Sequence, residues 1–453
     1  MWGTPGSLGA MTLKNRVKEA FPRVREDLDR LIRIPSVSAP DFDPTHVRYS
    51  AEATAAILES SGLRDVRFLE IEGAHPAVIG EHPAPDGAPT VLLYAHHDVQ
   101  PPGREEDWRS PPFEPVEREG RLYGRGSSDD KCGIAVHQAA LLAHEGNPPV
   151  GVKVFVEGEE EIGSPFLARF LERYRDDLAA DAIVVADSAN WRVGQPAVTT
   201  SLRGLVDCVV EVRTLDHGVH SGFLGGVFPD AITVLTRLLA TLHDERGRVA
   251  IPGLVEGDAD PLDLTEEKLR GMVGAVPGLA ALGEGTLTSR MWTRPAVSVL
   301  AVDAPSVAVA SNTLVPVARA KVSLRLAPGQ DPHQAEDALV KHLESNVPWG
   351  AQVTVERGAV AHPFSVEAGG PASRAIRRAF SEAWGTEPVD TGQGGTIPFV
   401  KEFSDGYPDA EIILVGVGDP DSRAHGVDES VDLGDLERGC VGEALFLRYL
   451  AGE

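Results

Sequence analysis

The chain has 453 residues, of which 42% are apolar and 24% charged, and a formal net charge of −26 with no long run of one sign. That length exceeds what one core organises and implies two domains, with room for one to be inserted in the other. The acidity weighs against nucleic acid and anionic membrane as partners, and no stretch reaches the roughly 18 apolar residues of a spanning helix.

Met1–Thr12 lacks the apolar run of a signal peptide. Cys132, Cys208 and Cys440 are widely spaced, with no C-x-x-C pair. Neither a disulfide framework nor a thiolate metal site is expected, and a reducing, cytoplasmic setting is the simpler reading.

Leu13–Arg33 has helical periodicity and ends before Pro35; His46–Ser61 is a second amphipathic segment, closed by Gly62. Short apolar runs then recur at Val91–Tyr94, Val152–Val156, Ile183–Ala186 and Ile412–Val415. Runs of four or five such residues between helices read as buried strands of an α/β sheet. Ala135–His144 and Leu167–Tyr174 are the predicted crossover helices. Between about Arg203 and Arg357 the texture changes. Leu205–Val212, Ser298–Val302 and Ala320–Leu326 alternate like half-exposed antiparallel strands, and Ile232–His243 and Pro332–Ser345 read as covering helices. The expected organisation is a discontinuous catalytic domain, 1–202 plus 358–453, with an inserted α+β domain at 203–357.

The chemistry gathers after the strands. Val91–Tyr94 runs into His96-His97-Asp98, Val152–Val156 into Glu157 through Glu161, Ile183–Ala186 into Asp187, and Ile412–Val415 into a loop reaching His425. A glycine-containing loop, Gly124 to Lys131, opens a helix and carries Asp129 and Asp130. In open α/β sheets, ligands bind beyond the carboxyl ends of the strands. Five loops bringing His, Asp, Glu, Asp and His to one edge form a metal-site pattern. Imidazoles and carboxylates without sulfur suit Zn²⁺, Mn²⁺ or Co²⁺, and three carboxylates offset most of the charge of two such ions. One carboxylate can bridge the pair, as in two-metal hydrolases. Asp98, two residues past His96, is placed to fix that ring's tautomer. In the Glu160-Glu161 pair, one carboxylate can bind metal while the other serves as general base for an activated water.

At these residues the sequence resembles metallopeptidase family 20, in particular its dipeptidase branch. The resemblance rests on Arg33-Ile34-Pro35-Ser36-Val37-Ser38, His96-His97-Asp98-Val99-Gln100-Pro101, Gly124-Arg125-Gly126 through Lys131, Glu160-Glu161-Ile162-Gly163-Ser164, His220-Ser221-Gly222 and Gly394-Gly395-Thr396-Ile397-Pro398. It implies a mixed-sheet, zinc-exopeptidase-like catalytic domain with an inserted α+β lid and dimerisation domain, and a homodimer formed through that insert. It implies Asp129 as the bridging ligand, His96 and Asp187 on one metal, and Glu161 and His425 on the other. Glu160 becomes the catalytic base and Asp98 its support. In the insert, His220 stabilises the oxyanion, often from the partner subunit of a dimer. Arg325 with Gly395 and Thr396 clamps the substrate carboxylate, and Thr313 is a further residue acting across the dimer.

Three positions depart from the family's pattern. Cys132 stands where a glycine is usual, which could crowd the loop or confer oxidation sensitivity. Gly218 replaces a frequent aspartate. Gln393 stands where dipeptidases of this group tend to carry an acid near the substrate's free amino group, leaving room for N-acyl substrates. The expected activity is hydrolysis of a small peptide by a dipeptidase, with an N-acyl amino acid deacylase or amidase as the rival and a non-catalytic binding module as a more distant one. Elsewhere, His97, His137, His144 and His362 read as structural, and Glu157 and Glu159 as loop surface. His217 competes with His220, Arg203 reads as a hinge residue paired with a carboxylate, and Cys208 and Cys440 as small buried hydrophobes.

Overall fold

The computed structural model describes residues 12–366, 369–395 and 398–452. The strands that matter here are β1 (Arg64–Leu69), β2 (Ala77–His82), β3 (Thr90–His96), β4 (Gly151–Glu157), β5 (Ala182–Val185), β6 (Ala197–Leu202), β7 (Gly204–Arg213), β8 (Ala296–Asp303), β9 (Val317–Leu326), β10 (Gln352–Ala361) and β11 (Glu411–Leu414). The helices are α1 (Leu13–Ile32), α2 (Thr45–Ser60), α3 (Lys131–Ala143), α4 (Leu167–Arg173), α5 (Ala231–Ala240), α6 (Pro332–Ser345), α7 (Pro371–Trp384) and α8 (Leu433–Leu450).

The chain divides into two compact units. One takes the chain up to Thr200, then Val366–Thr391 and everything from Phe399; the other is Ser201–Ser365 with Gly392–Pro398. This division differs from the expected 203–357 in two ways. Phe364 and Ser365 pair with Leu202 and Ser201, which draws the exit of the insert outward. Gly392–Pro398 also joins the insert, where the Gln393 carbonyl accepts a bond from Arg203 N at 3.1 Å. Sequence texture records neither event, because both are long-range main-chain pairings.

In the first unit the sheet order is β1-β2-β4-β3-β5-β11-β6. The central four strands are mutually parallel, while β1, β2 and β6 run antiparallel to their neighbours. Parallel strands covered on both faces need side chains that are apolar on both faces. In β3, Val91, Leu93 and Ala95 join a core shared with α1, α3, α7 and α8. Tyr94, on the opposite face, packs in an aromatic cluster with Phe155, Phe399 and Phe403. The parallel quartet puts the carboxyl ends of β3, β4, β5 and β11 at one sheet edge. Helix α3 begins four residues earlier than its apolar periodicity predicts. Buried Lys131 belongs to it, with Nζ donating to the carbonyls of Leu31 (2.7 Å) and Ile34 (2.8 Å) at the end of α1.

The second unit is an antiparallel sheet of order β8-β9-β7-β10. Apolar side chains of β7 and β9 face a core completed by α5 and α6. Strand β8 is an edge, and from Ser298 to Asp303 every residue is exposed, so the half-exposed alternation expected there gives way to exposure on both faces. Among the described residues, no helix is long and apolar enough to cross a membrane.

Candidate metal centre

His96 ends β3 and is fully buried. Its Nδ1 lies 3.1 Å from the main-chain oxygen of Asp98 and 3.4 Å from that residue's carboxylate. A carbonyl only accepts, so Nδ1 donates there, and Nε2 is the nitrogen turned to the cluster. Nε2 lies 3.1 Å from Asp129 Oδ1 and 3.9 Å from both Glu160 Oε2 and Asp187 Oδ2.

Asp98 does more than orient this ring. Its carboxylate accepts from Ser38 Oγ (2.7 Å), Glu160 N (3.2 Å) and Glu161 N (3.0 Å), so it holds the short turn that carries both glutamates. Ser38 belongs to the Arg33–Ser38 motif, whose Val37 pairs with Val99; Ser36 Oγ also donates to His97 O at 2.6 Å. The motif is therefore a brace for the histidine segment.

His425 completes the opposite side. Its Nε2 lies 3.0 Å from Asp129 Oδ2 and 3.2 Å from Glu161 Oε2. Glu161 is fixed from behind by Gln100, whose N and Nε2 donate to its two oxygens at 3.0 and 2.8 Å. Asp129 thus turns one oxygen to each histidine. Side chains that could hold a metal ion form two triads, His96–Glu160–Asp187 and Asp129–Glu161–His425, the candidate atoms of each lying within 4.8 Å of one another.

The electrostatics ask for cations. Burial pushes the Glu160 carboxyl up to about 9, the charge of His96 opposing and those of Asp187, Asp98 and Glu161 adding to it. Asp187 is pushed to about 7 by burial and by Asp129. Burial works against Asp129 as well, but hydrogen bonds with His425 and His96 prevail and hold it below the carboxylate range. His425 is held up to about 10 by its bonds to Asp129 and Glu161, burial opposing. Four carboxylates crowded around two imidazoles keep protons only because no stronger cation competes, and divalent ions invert that balance. Oxygen and imidazole donors without sulfur fit Zn²⁺, Mn²⁺ or Co²⁺.

Several sequence expectations need correction. Glu157 and Glu159 are buried, not loop surface. Glu157 accepts from Tyr94 Oη at 2.7 Å, and burial raises its carboxyl to about 8 against that bond. Glu159 accepts from His75 N and Phe166 N, both at 3.0 Å, closing the turn from the other side. Gly158 between them is obligatory, since a Cβ there would meet Pro76 O at 2.6 Å and the His97 ring at 2.9 Å. Cys132 does not present a reactive thiol. It is 1% exposed, its Sγ lies 3.1 Å from Ser128 O, and burial with Asp130 nearby raises it well above the usual thiol range. Arg203 pairs with main-chain carbonyls of Arg290 and Arg294 rather than a carboxylate.

His97, His137 and His144 are structural. The His97 ring meets Pro76 O at 2.9 Å, His137 pairs with buried Glu443 at 2.9 Å, and His144 Nε2 meets Ala444 O at 2.9 Å. Burial lowers His97 to about 4.

The insert groups its own candidates. His220 and Thr313 are paired residues of a two-stranded ribbon, both exposed, and His220 Nδ1 accepts from Gly222 N at 3.1 Å. His217 is exposed three residues away. Arg325 is half-buried on β9. Burial, with Arg325 adding to it, lowers Arg203 to about 10. Gln393 is half-buried and Gly395 exposed, while Thr396 lies outside the described residues. Ser38, Gln100 and Glu159 carry no chemical signal of their own. Only the motifs around Ser38 and Gln100 marked those two positions, and Glu159 differs from its neighbours in nothing but its contacts.

The chain is similar to known proteins over nearly its whole length. The chain is 35% identical over 435 residues to the cysteinylglycine-S-conjugate dipeptidase of Corynebacterium striatum, covering 94% of this chain and 95% of that one. It is 27% identical over 454 residues to the β-Ala-His dipeptidase of Homo sapiens, covering 96% and 87%. Among solved structures, the dipeptidase Dug1p of Saccharomyces cerevisiae superposes with a TM-score of 0.74 at 22% identity, covering 97% and 98%. An M20 family metallo-carboxypeptidase of Sulfolobus solfataricus gives 0.77 at 24%, covering 95% and 99%. These two likenesses establish a shared fold. Residues 92–448 match Peptidase family M20/M25/M40, and the chain belongs to that family.

Proposed function

We propose that the protein is a two-metal dipeptidase, Zn²⁺ being the ion its donor set favours. One observation carries the reading: Asp129 offers an oxygen to each histidine, at 3.1 and 3.0 Å, and so is shared between the His96–Asp187 and the Glu161–His425 sides. When bound, two divalent cations polarise the scissile carbonyl and make water a nucleophile at neutral pH. The residues supply the rest. Glu160 takes the proton from water and returns it to the leaving amine, and Asp98 fixes Glu160 by its main chain.

His220 is the proposed donor to the tetrahedral oxyanion, with Thr313 beside it acting across a dimer. Arg325, Gly395 and Thr396 form the proposed carboxylate clamp, for which a guanidinium fork is suited. A homodimer through the insert is supported by the exposed apolar edge of β8, where Val299, Leu300 and Val302 face outward. A cytoplasmic setting is supported by three buried, unbridged cysteines. The names of the relatives favour free dipeptides over N-acyl amino acids, and Gln393 is then a neutral hydrogen-bonding partner for the amino end.

The test uses chelator-stripped protein reloaded with Zn²⁺, Mn²⁺ or Co²⁺ and assayed on Cys-Gly, β-Ala-His and matched N-acetyl amino acids. Stripping is expected to abolish turnover and reloading to restore it on the dipeptides. Turnover of the acetylated set alone would replace the dipeptidase reading with the deacylase one. Tight binding without turnover of either set would leave a binding module.

A further inference from the structure

The loop from Arg125 to Asp129 and the loop carrying His425 are far apart in sequence, yet both lead to one side chain. Glu429, four residues after His425, is fully buried. Its Oε1 accepts from Ser128 N (2.9 Å) and from Asp129 N (3.1 Å). Its Oε2 accepts from Gly126 N (3.1 Å) and from Arg125 Nη1 (2.5 Å). Arg125 is itself 1% exposed, and its Nη2 donates to Gly426 O (3.1 Å) and Pro101 O (3.3 Å). The His425 loop needs such restraint, because Arg423, His425 and Asp428 all have positive φ, at 54°, 63° and 56°. Side chains with a Cβ occupy that region only where their surroundings hold them.

We propose that Glu429 is the positioning residue for the Asp129–Glu161–His425 triad, fixing Asp129 through its own amide and His425 through the shared loop. The inference rests on the two-cation reading above. Two physical features give Glu429 this role. All four of its partners are N–H donors, so only a carboxylate satisfies them; an amide would aim its own NH₂ at two of them. The second is charge. Arg125 is a buried cation a few residues from Asp129, and Glu429 neutralises it, which removes a repulsion that a dication in the triad would otherwise feel.

The test is metal binding by the full-length protein. Metal-free wild type is titrated with Co²⁺, read by visible absorption and by metal analysis after gel filtration, and is expected to take up two ions per chain. In Glu429→Gln, one of the two is expected to bind about 10- to 100-fold more weakly. Its kcat on a dipeptide should recover as metal is raised, with KM little changed. A merely structural role would lower the melting temperature of the metal-free protein and leave Co²⁺ affinity unchanged. Glu429→Asp keeps the charge on a shorter stem; it carries the test if the glutamine variant does not fold, with a smaller loss in the same direction. Unchanged affinity for both ions in either folded variant overturns the inference and leaves the dipeptidase reading intact. Wild type that takes up fewer than two ions removes the two-cation reading, and this inference with it.

Discussion

The two units hold their functional groups in opposite ways. In the sheet unit, key groups of the candidate metal centre are gripped from behind: Glu161 by Gln100, His96 by the Asp98 carbonyl, and Asp98 in turn by Ser38. In the insert, His220 and Thr313 lie exposed on a two-stranded ribbon, and their side-chain partners are only two residues away. The difference fits the roles proposed for the two regions. Cations demand fixed distances, so their donors are locked before binding. Groups that meet a developing negative charge have only to reach it when substrate is present, and apo geometry there is often loose. Damage to the first region should therefore show in metal content or in the chemical step. Damage to the second should spare the metals.

The largest expected effect separates catalysis from binding within the locked region. Glu160→Gln should lower kcat by roughly 10²- to 10⁴-fold, the usual worth of a general base. The fold should survive, because Asp98 grips the Glu160 main chain rather than its carboxyl. Metal content measured beside the rate distinguishes the roles. If the variant retains two ions and loses turnover, Glu160 is the base; if it loses an ion from the His96–Asp187 side, Glu160 is a ligand instead.

The counterpart in the loose region is His220→Ala. Removal of one oxyanion donor costs roughly 10²- to 10³-fold in kcat. Metal content and melting temperature should be unchanged, since the side chain is exposed and holds only the Gly222 amide. Wild-type turnover in this variant would end the oxyanion assignment and turn attention to His217, three residues away. A fall in bound metal would contradict the contrast between the two units.

The locked region was also the more legible one. Strand ends announce themselves because an apolar run must stop where polar chemistry begins, as at Tyr94-Ala95-His96 and Val185-Ala186-Asp187. The parallel quartet then places those ends together without further information. What could not be read, Asp98 apart, was the support. Glu159 and Glu429 look like any surface glutamate in a chain this acidic, and only burial among main-chain amides sets them apart. The reach of the insert was legible in texture but not in its outer bounds, because Phe364 and Gln393 join it by main-chain pairing, which leaves no mark on side-chain type.

The smallest expected effect concerns stability in the insert, away from all the chemistry above. His342 on α6 is 8% exposed and its Nε2 lies 3.0 Å from Thr241 O, the C-terminal residue beyond α5. Burial lowers its pKa below the ordinary value, and the bond to Thr241 opposes that shift. The sign follows from proton counting. Below about pH 6.5 the unfolded chain takes up a proton that the folded insert refuses, so stability falls as pH falls through that range. Above it neither state is protonated, and the contribution is fully present. Melting temperatures of wild type and His342→Gln, measured on the metal-free protein at pH 7.5 and 5.5, isolate this group. The wild type should lose more stability than the variant between the two pH values. Equal losses would mean that the imidazole is protonated in the folded state as readily as in the unfolded one, and that the α5–α6 contact tolerates the charge.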